Sequence, residues 1–200
     1  MTQNRTLSLI LPAFGAAIIA ALAQIIIPIG AVPITLQTFA VGLVAAILKP
    51  REATLAATLY LILGAIGLPV FAGGGGGLQA FFGPSAGYLL AYPFFAFITS
   101  KLTHAETPIW KIFVAFVLGD ALVFVGGILS LHFLGKMGWS AAVAVGLTPF
   151  IIPDLLKGLI VALVTKPVLK ALKNHSYFKL KKIEDFVHVN RIFNSFYFSK

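Results

Sequence analysis

The chain has 200 residues, of which 59% are hydrophobic and only 10% are charged, and its formal net charge at pH 7 is +9. A soluble globular domain carries about 25% charged residues, so this chain has too few charges to cover a surface in water. The composition therefore excludes a soluble globule and predicts an integral membrane protein.

The basic residues are spread along the chain instead of forming one patch. Five of the fifteen lysines and arginines fall in the last 27 residues, and the others recur between apolar stretches. This distribution is typical of the positive-inside bias of membrane proteins, so we do not expect nucleic acid as a partner. The chain has no cysteine, which excludes disulfides and thiol chemistry. No small-residue cleavage site follows the first apolar run, so we expect no cleaved signal peptide.

The first predicted elements come from two long stretches without Asp, Glu, Lys or Arg, between Arg5 and Lys49 and between Glu52 and Lys101. Each is roughly twice the 20 or so residues that one helix needs to cross the hydrocarbon core, so each predicts a helical hairpin. In chain order we predict an all-α protein with six transmembrane helices, at about 7–28, 34–48, 53–68, 85–100, 111–134 and 150–172. Helices of about 15 residues are short for a bilayer. Either the predicted helix boundaries are too narrow, or these helices end at a cavity instead of at water.

The connecting loops alternate in charge. On one side, residues 29–33 and 71–84 hold no charge and residues 135–148 hold only Lys136. On the other side lie the basic residues Arg5, Lys49, Arg51, Lys101, Lys111, Lys166, Lys170 and Lys173. The positive-inside rule then predicts that both termini are cytoplasmic and that the loop at 71–84, which contains five consecutive glycines, faces outward.

The last 27 residues form a separate region. We predict a transmembrane domain at 1–173 and a basic cytoplasmic tail at 174–200, which mixes charges with seven aromatic side chains. Four apolar residues of the tail are spaced three, four and three apart, which places them on one helical face: Phe186, Val189, Phe193 and Phe196. The tail is either an amphipathic helix lying on the cytoplasmic leaflet or a poorly ordered extension.

An acid and a base stand together in "PFIIPDLLKGL", at the predicted outer end of the sixth helix. Asp154 and Lys157 are three residues apart, so they share one helix face and can pair or hold a polar ligand together. Placing an ionisable group within a membrane costs free energy, so such residues usually have a structural or functional role. Lysine donates to a carbonyl oxygen and aspartate accepts from N–H, so an amide- or urea-like ligand would suit the pair. The alternative is a structural ion pair that anchors the helix end.

Asp120, in "VLGDALVF", is a second acid, near the middle of the fifth predicted helix. It is either a proton or ion site of a coupled transporter or a residue that hydrogen-bonds between helices. No basic residue lies one turn away on the same helix, so we favour the second interpretation.

The glycine run at 73–77 is not followed by the Lys-Ser/Thr pair of a phosphate-binding loop, so it does not predict an ATPase. Glycines allow close backbone approach and expose N–H groups, which suits a loop that caps an apolar cavity. Four aromatic residues flank the run and could form walls for a ring: Phe71, Phe81, Phe82 and Tyr88. The alternative is a disordered linker.

The first predicted helix carries Ala13, Ala17 and Ala21 in steps of four. Small residues at this spacing form a smooth stripe that another helix can approach closely. The stripe serves either internal packing or the docking of a second protein, and the sequence leaves both open. The four histidines form no H-E-x-x-H pattern, and we predict neither a metal site nor an enzyme.

Three segments together resemble the BioY family, the biotin-specific S-components of energy-coupling factor (ECF) transporters. They are "VPITLQTF" at 32–39, "GLPVFAGGGGGLQAFFGPSAGY" at 67–88 and "PFIIPDLLK" at 149–157, and the resemblance runs from the first helix to about Lys173. It implies six helices, an outward-facing biotin pocket and an alanine stripe that meets a transmembrane coupling protein. It also implies separate ATPase subunits, no cofactor, and a place in the bacterial cytoplasmic membrane.

The resemblance also implies binding residues. Asp154 and Lys157 match the family's D-x-x-K and would bind the biotin head group, although Lys157 could instead hold the carboxylate. The other substrate-binding candidates are a flanking aromatic, the glycine run, the following tyrosine and two polar contacts: Phe71, Gly73, Gly74, Gly75, Gly76, Gly77, Tyr88, Gln37 and Gln79. The family's G-P-T-G-G-Y reads G-P-S-A-G-Y here, so Ala86 replaces a glycine.

Two other functions remain open at this point. One is an S-component whose pocket takes another vitamin, and the other is a stand-alone secondary carrier that uses Asp120 as a proton site. The biotin hypothesis predicts that Asp154→Asn weakens biotin binding while Asp120→Asn spares it. The carrier hypothesis predicts instead that uptake is lost in Asp120→Asn.

Overall fold

The computed structural model describes residues 2–28, 32–172 and 174, with side chains from Thr6 onward. Apart from residue 174, the predicted tail at 174–200 lies outside the described residues, and so does the proposed apolar face formed by its phenylalanines. Residues 2–28 and 32–172 contain the helices and strands of the described part of the chain.

Seven α-helices form this part: α1 Thr2–Leu22, α2 Gln37–Ile47, α3 Pro50–Ala65, α4 Ala86–Leu102, α5 Ile109–Phe133, α6 Trp139–Gly146 and α7 Ile151–Leu172. Two short antiparallel strands, β1 Ile26–Ile27 and β2 Ile34–Thr35, pair between α1 and α2. Two 3₁₀ turns, Ala72–Gly74 and Leu78–Phe81, lie in the loop between α3 and α4. We call residues 69–81 the glycine loop.

The predicted helices correspond to α1–α5 and α7, and the additional helix is α6. It lies inside the stretch at 135–148 that the sequence analysis treats as a loop. With 8 residues, α6 is too short to give a spanning signal or a clear helical period. The chain reaches it through Lys136, whose φ of 53° lies in the left-handed region.

The first helix is shorter at its end than predicted. It ends at Leu22, and residues 26–27, which lie beyond its end, pair with residues 34–35. Isoleucine is β-branched and favours extended backbone, and the residue before Pro28 is disfavoured in the helical region. The local sequence at 25–28 therefore ends the helix and begins the hairpin.

Several helices end at an internal cavity, which accounts for their short length. Among the described residues, α5 alone is long and apolar enough to cross a membrane unaided, and α6 with α7, bent by 43°, would form a second span. The helix α2 has 11 residues and begins at Gln37, which lines the cavity. Helix length alone therefore does not confirm six spans, and the alternative of short helices that end at a cavity fits α2 and α4.

Close helix contacts hold this cavity in place. The most extensive contact is between α4 and α5, where the Gly87 and Gly126 backbones meet so closely that a Cβ on either would overlap the other's carbonyl. Below the cavity the rings of Phe95 and Phe116 pack edge to face at 5.2 Å. Gly158 of α7 lies against the same Phe116 ring. Small residues thus bring α4, α5 and α7 together around one aromatic layer.

Candidate functional site

A cavity of about 430 Å³ lies beneath the glycine loop, among the first turns of α2, α4 and α7 and the second half of α5. Eight of the predicted substrate-binding residues line it: Gln37, Phe71, Gly75, Gly76, Gln79, Tyr88, Asp154 and Lys157. The remaining predicted glycines, Gly73, Gly74 and Gly77, belong to the loop above and are not lining residues. The structure therefore brings residues from four separate parts of the sequence to one place.

The polar centre of the cavity wall is an ion pair between Lys157 and Asp154. Both residues are buried, at 7% and 4% exposed. Asp154 lies in the first turn of α7, where the helix dipole stabilises a negative charge. The spacing-based prediction that the two side chains can pair is confirmed by this contact.

Thr38 completes the polar centre and was not predicted individually. Its hydroxyl donates to Asp154 Oδ1 at 3.2 Å and accepts from Lys157 Nζ at 3.1 Å. Both described bonds to the carboxylate reach Oδ1, which leaves Oδ2 available to a donor, and the ammonium has a third N–H. The cluster can therefore satisfy a ligand that presents both N–H and C=O groups.

A second polar network surrounds Gln37. Its Nε2 donates to the Tyr60 hydroxyl at 2.5 Å, and its Oε1 accepts from Tyr92 at 3.4 Å and from Thr35 at 3.1 Å. Because the amide is held by these partners, Gln37 ties α2, α3 and α4 together at the cavity wall. Tyr92 was missed by the sequence analysis, although it follows Tyr88 by four residues and therefore shares its helix face.

Tyr88 contributes its ring to the wall and uses its hydroxyl for the fold. The hydroxyl donates to the Gly146 carbonyl at 2.7 Å, which fixes the end of α6 to α4. A Cβ at Gly127 or Gly146 would overlap the Tyr88 side chain, so both glycines are needed for this position.

Aromatic side chains form the apolar part of the cavity. The buried Phe71 ring packs edge to face on Tyr60 at 5.4 Å and on Phe81 at 5.7 Å. Phe124 and Phe150 also line the cavity, and their ring centroids lie 6.5 Å apart. The hypothesis that Phe82 forms a wall is wrong, because its side chain is 76% exposed.

The glycine loop is folded, which contradicts the linker alternative. Phe71 N donates to Gly75 O at 2.9 Å, and Gly77 N donates to Gly64 O at 2.7 Å, so the loop is tied to itself and to the end of α3. Gly77 has φ of 94°, a conformation that favours glycine. Gln79 is exposed, and its side-chain amide donates to Gly76 O at 2.6 Å, so it stabilises the loop that covers the cavity.

Residues 83–87 read G-P-S-A-G, which formally matches the nucleophile pattern G-x-S-x-G. That pattern requires a strand before the serine and a helix after it. Here a 3₁₀ turn precedes Ser85 and α4 follows, so the structural context for a nucleophile is not present. Ala86, which replaces the family's glycine, is the first residue of α4 and is 1% exposed, in a position that needs no glycine.

Asp120 and the alanine stripe lie outside the cavity wall. Asp120 is 5% exposed, and its Oδ1 has no hydrogen-bond partner among the described residues, so the predicted interhelical bond from this oxygen is not observed. Ala13, Ala17 and Ala21 are all exposed on α1, whereas Ala16 is fully buried. The three alanines are therefore not used for packing within the described chain.

The fold and the site define a helical protein with an internal pocket, whose volume of about 430 Å³ lies within the roughly 300–1,000 Å³ typical of small-molecule sites. Comparison with known proteins identifies the family. The BioY family model matches residues 1–174, and the chain belongs to the BioY family, a family of membrane proteins. The resemblance that the three sequence segments carry is thereby confirmed.

Individual relatives agree with this assignment. The chain is 43% identical over 182 residues to "Biotin transporter BioY2" of Lactococcus lactis subsp. cremoris (strain MG1363), which covers 89% of this chain and 99% of the relative. It is 38% identical over 142 residues to "Biotin transporter BioY" of Thermotoga maritima (71% and 83% covered). A crystal structure of "the S-component for biotin from an ECF-type ABC transporter" superposes with a TM-score of 0.79 at 28% identity, covering 90% of this chain and 97% of that one.

Proposed function

We propose that the chain is the biotin-binding S-component of an ECF-type transporter and serves biotin uptake, not catalysis. Its family membership and its similarity to biotin transporters over nearly the whole chain support this function. The structural observation that carries it is the buried Asp154–Lys157–Thr38 cluster in the wall of a largely apolar cavity.

The chemistry of the cavity suits biotin. Biotin has an apolar thioether bicycle and chain, a urea-like head and a carboxylate. The Phe71 and Phe124 rings supply apolar walls, while Asp154 accepts from a ureido N–H and Lys157 donates to the ureido oxygen. This arrangement leaves the ion pair neutral overall, so a neutral head group enters without bringing an uncompensated buried charge.

The glycine loop acts as a lid. It covers the cavity, its backbone at residues 75 and 76 faces the bound ligand, and binding contacts offset the ordering of the loop. The arrangement of basic residues supports an orientation in which the loop faces outward and both termini are cytoplasmic. In this orientation six membrane crossings are formed by α1–α5 and by α6 together with α7, and biotin enters from the outside.

The alanine stripe on α1 is the docking face for a transmembrane coupling protein. Ala13, Ala17 and Ala21 are exposed and small, which lets a partner helix approach the α1 backbone closely. Because no phosphate-binding loop motif occurs in the sequence, energy for transport comes from separate ATPase subunits.

Calorimetric titration of biotin into the detergent-purified wild-type protein tests the proposal, with Asp154→Asn as the variant and thiamine and riboflavin as comparison ligands. We expect saturable one-to-one binding of biotin, weaker binding in the variant and no heat from the other vitamins. Absence of both heat and thermal stabilisation with biotin would refute the assignment. Preferential binding of another vitamin would reassign the substrate.

A further inference from the structure

Gln24, two residues beyond the end of α1, reaches the start of the glycine loop. Its side-chain Nε2 lies 3.0 Å from Ala20 O and 3.4 Å from each of the carbonyl oxygens of Pro69, Val70 and Phe71. An amide nitrogen has two hydrogens, so four oxygens share them, and the three loop contacts are individually long. Their convergence nevertheless places one donor group at the centre of three consecutive carbonyl dipoles.

The backbone around Gln24 makes a second connection to the loop. Gly73 N donates to Ala23 O at 3.4 Å. The Ile26 side chain fills the space beside Gly73, where a Cβ would come within 2.9 Å of it. The end of α1 and the first strand thus contact residues 69–73 at several successive positions.

The start of the loop also carries a wall of the cavity. The Phe71 carbonyl faces Gln24, while the Phe71 ring is 4% exposed, lines the cavity and packs on Tyr60. Tyr60 in turn accepts a hydrogen bond from Gln37, another lining residue. A movement of the backbone at 69–71 therefore moves the Phe71 ring, which forms part of the cavity wall. This ring packs on Tyr60, which is hydrogen-bonded to Gln37.

We propose that Gln24 is a positioning residue that latches the glycine loop to the end of α1 and thereby slows the escape of bound ligand. The inference rests on the proposed function for its ligand, but the latch itself is a property of the chain alone. Gln24 is exposed and does not line the cavity, so it acts through the loop and not by touching the ligand.

The test separates hydrogen-bond donation from side-chain size. Gln24→Ala removes the donor, Gln24→Glu replaces it with a carboxylate that is repelled by the carbonyl oxygens, and Gln24→Lys restores a donor of similar reach. Ile25→Ala is the control, because Ile25 is adjacent and 53% exposed and its side chain takes no part in these hydrogen bonds. Purified protein loaded with radiolabelled biotin is chased with excess unlabelled biotin, and the dissociation rate is measured.

We expect dissociation roughly three- to tenfold faster in Gln24→Ala, as for the loss of about one hydrogen bond, and at least as fast in Gln24→Glu. Gln24→Lys and Ile25→Ala should remain close to wild type. The equilibrium affinity should change less than the dissociation rate, because a looser loop also admits ligand faster. Wild-type rates in Gln24→Ala and Gln24→Glu, or an equal acceleration in Ile25→Ala, would overturn the latch.

A ligand-free readout distinguishes failure of the latch from failure of the proposed function. Hydrogen exchange at the Gly73 amide, measured in the apo protein, should be faster in Gln24→Ala than in wild type and unchanged in Ile25→Ala. If wild-type protein binds no biotin but this acceleration is observed, the function is wrong and the latch stands. If biotin binds but exchange at Gly73 is unaltered, the latch is wrong and the function stands.

Discussion

Thr38 and Lys157 are 119 residues apart in the chain, yet the lysine ammonium donates to the threonine hydroxyl at 3.1 Å in the cavity wall. The same hydroxyl donates to Asp154, so α2 and α7 meet through one hydrogen-bonded triad. A buried ion pair is tolerated when further hydrogen bonds satisfy its charges, and Thr38 supplies such bonds. The geometry of the polar centre therefore depends on how α2 sits against α7.

Asp154→Asn is expected to weaken biotin binding by roughly 10- to 150-fold, the usual value of a hydrogen bond to a charged group. The change also leaves the buried Lys157 ammonium without its counterion, which destabilises the apo protein. Titration calorimetry measures the first effect and thermal unfolding the second. Lys157→Gln and the double variant complete a double-mutant cycle. Because the pair acts as a unit, the loss of binding free energy in the double variant should be well below the sum of the losses in the two single variants. Additive losses would contradict a shared site.

Thr38→Val keeps the side-chain shape and removes the hydroxyl that contacts both charges. We expect an affinity loss of roughly tenfold, corresponding to the cost of leaving buried charged partners less well satisfied. Thr38→Ser retains the hydroxyl and should bind nearly as wild type, although the lost methyl group costs some stability. Equal binding by the valine and serine variants would show that the hydroxyl does not support the site.

The sequence predicted the charged pair of the site better than its surroundings. Asp154 and Lys157 could be placed together because a spacing of three residues fixes a shared helix face whatever the rest of the fold does. Thr38 and Tyr60 could not be placed, since their contacts join α2 to α7 and α3, and no local pattern encodes such long-range pairs. Tyr92 could have been predicted from helix spacing, because it lies one turn beyond Tyr88 on α4 and shares its face.

The fold shows a similar division between local and long-range information. Long apolar stretches located six of the seven described helices to within a few residues at most ends, since apolar composition is read over long windows. The strand pair at 26–27 and 34–35 and the helix at 139–146 were missed, because each is shorter than those windows and is held by contacts with other parts of the chain. The exposed position of Phe82 likewise follows from the turn of the loop and not from its composition.

Asp120→Asn should leave biotin affinity within about threefold of wild type, because Asp120 does not line the cavity and asparagine has the same shape. Uptake in cells that contain the complete transporter should also persist. Equilibrium binding and uptake of labelled biotin measure the two quantities separately. Retained binding with lost uptake would favour a carrier in which this carboxyl moves a proton.

Gly127→Ala should destabilise the protein, since its Cβ would overlap the Tyr88 ring and weaken the hydrogen bond from Tyr88 to Gly146. Overpacking of this kind costs about 1–3 kcal/mol, against about 1 kcal/mol gained from alanine in a helix. Thermal unfolding and biotin titration should both show a loss. Gly138→Ala is the matched control, because no atom lies within 4 Å of its added Cβ. A stable Gly127→Ala protein with normal affinity would mean that the Tyr88 ring is free to move.

Ala17→Leu should separate ligand binding from transport. Ala17 is exposed on α1 and lies away from the cavity, so the purified variant should bind biotin like the wild type. A leucine in the middle of the alanine stripe holds a partner helix away from the α1 backbone, so co-purification with the coupling protein and cellular uptake should both fall. Ala121→Leu adds the same bulk at an exposed alanine of α5 and should affect neither. Normal uptake in Ala17→Leu would exclude the stripe as the docking face, because close helix approach cannot survive the added side chain.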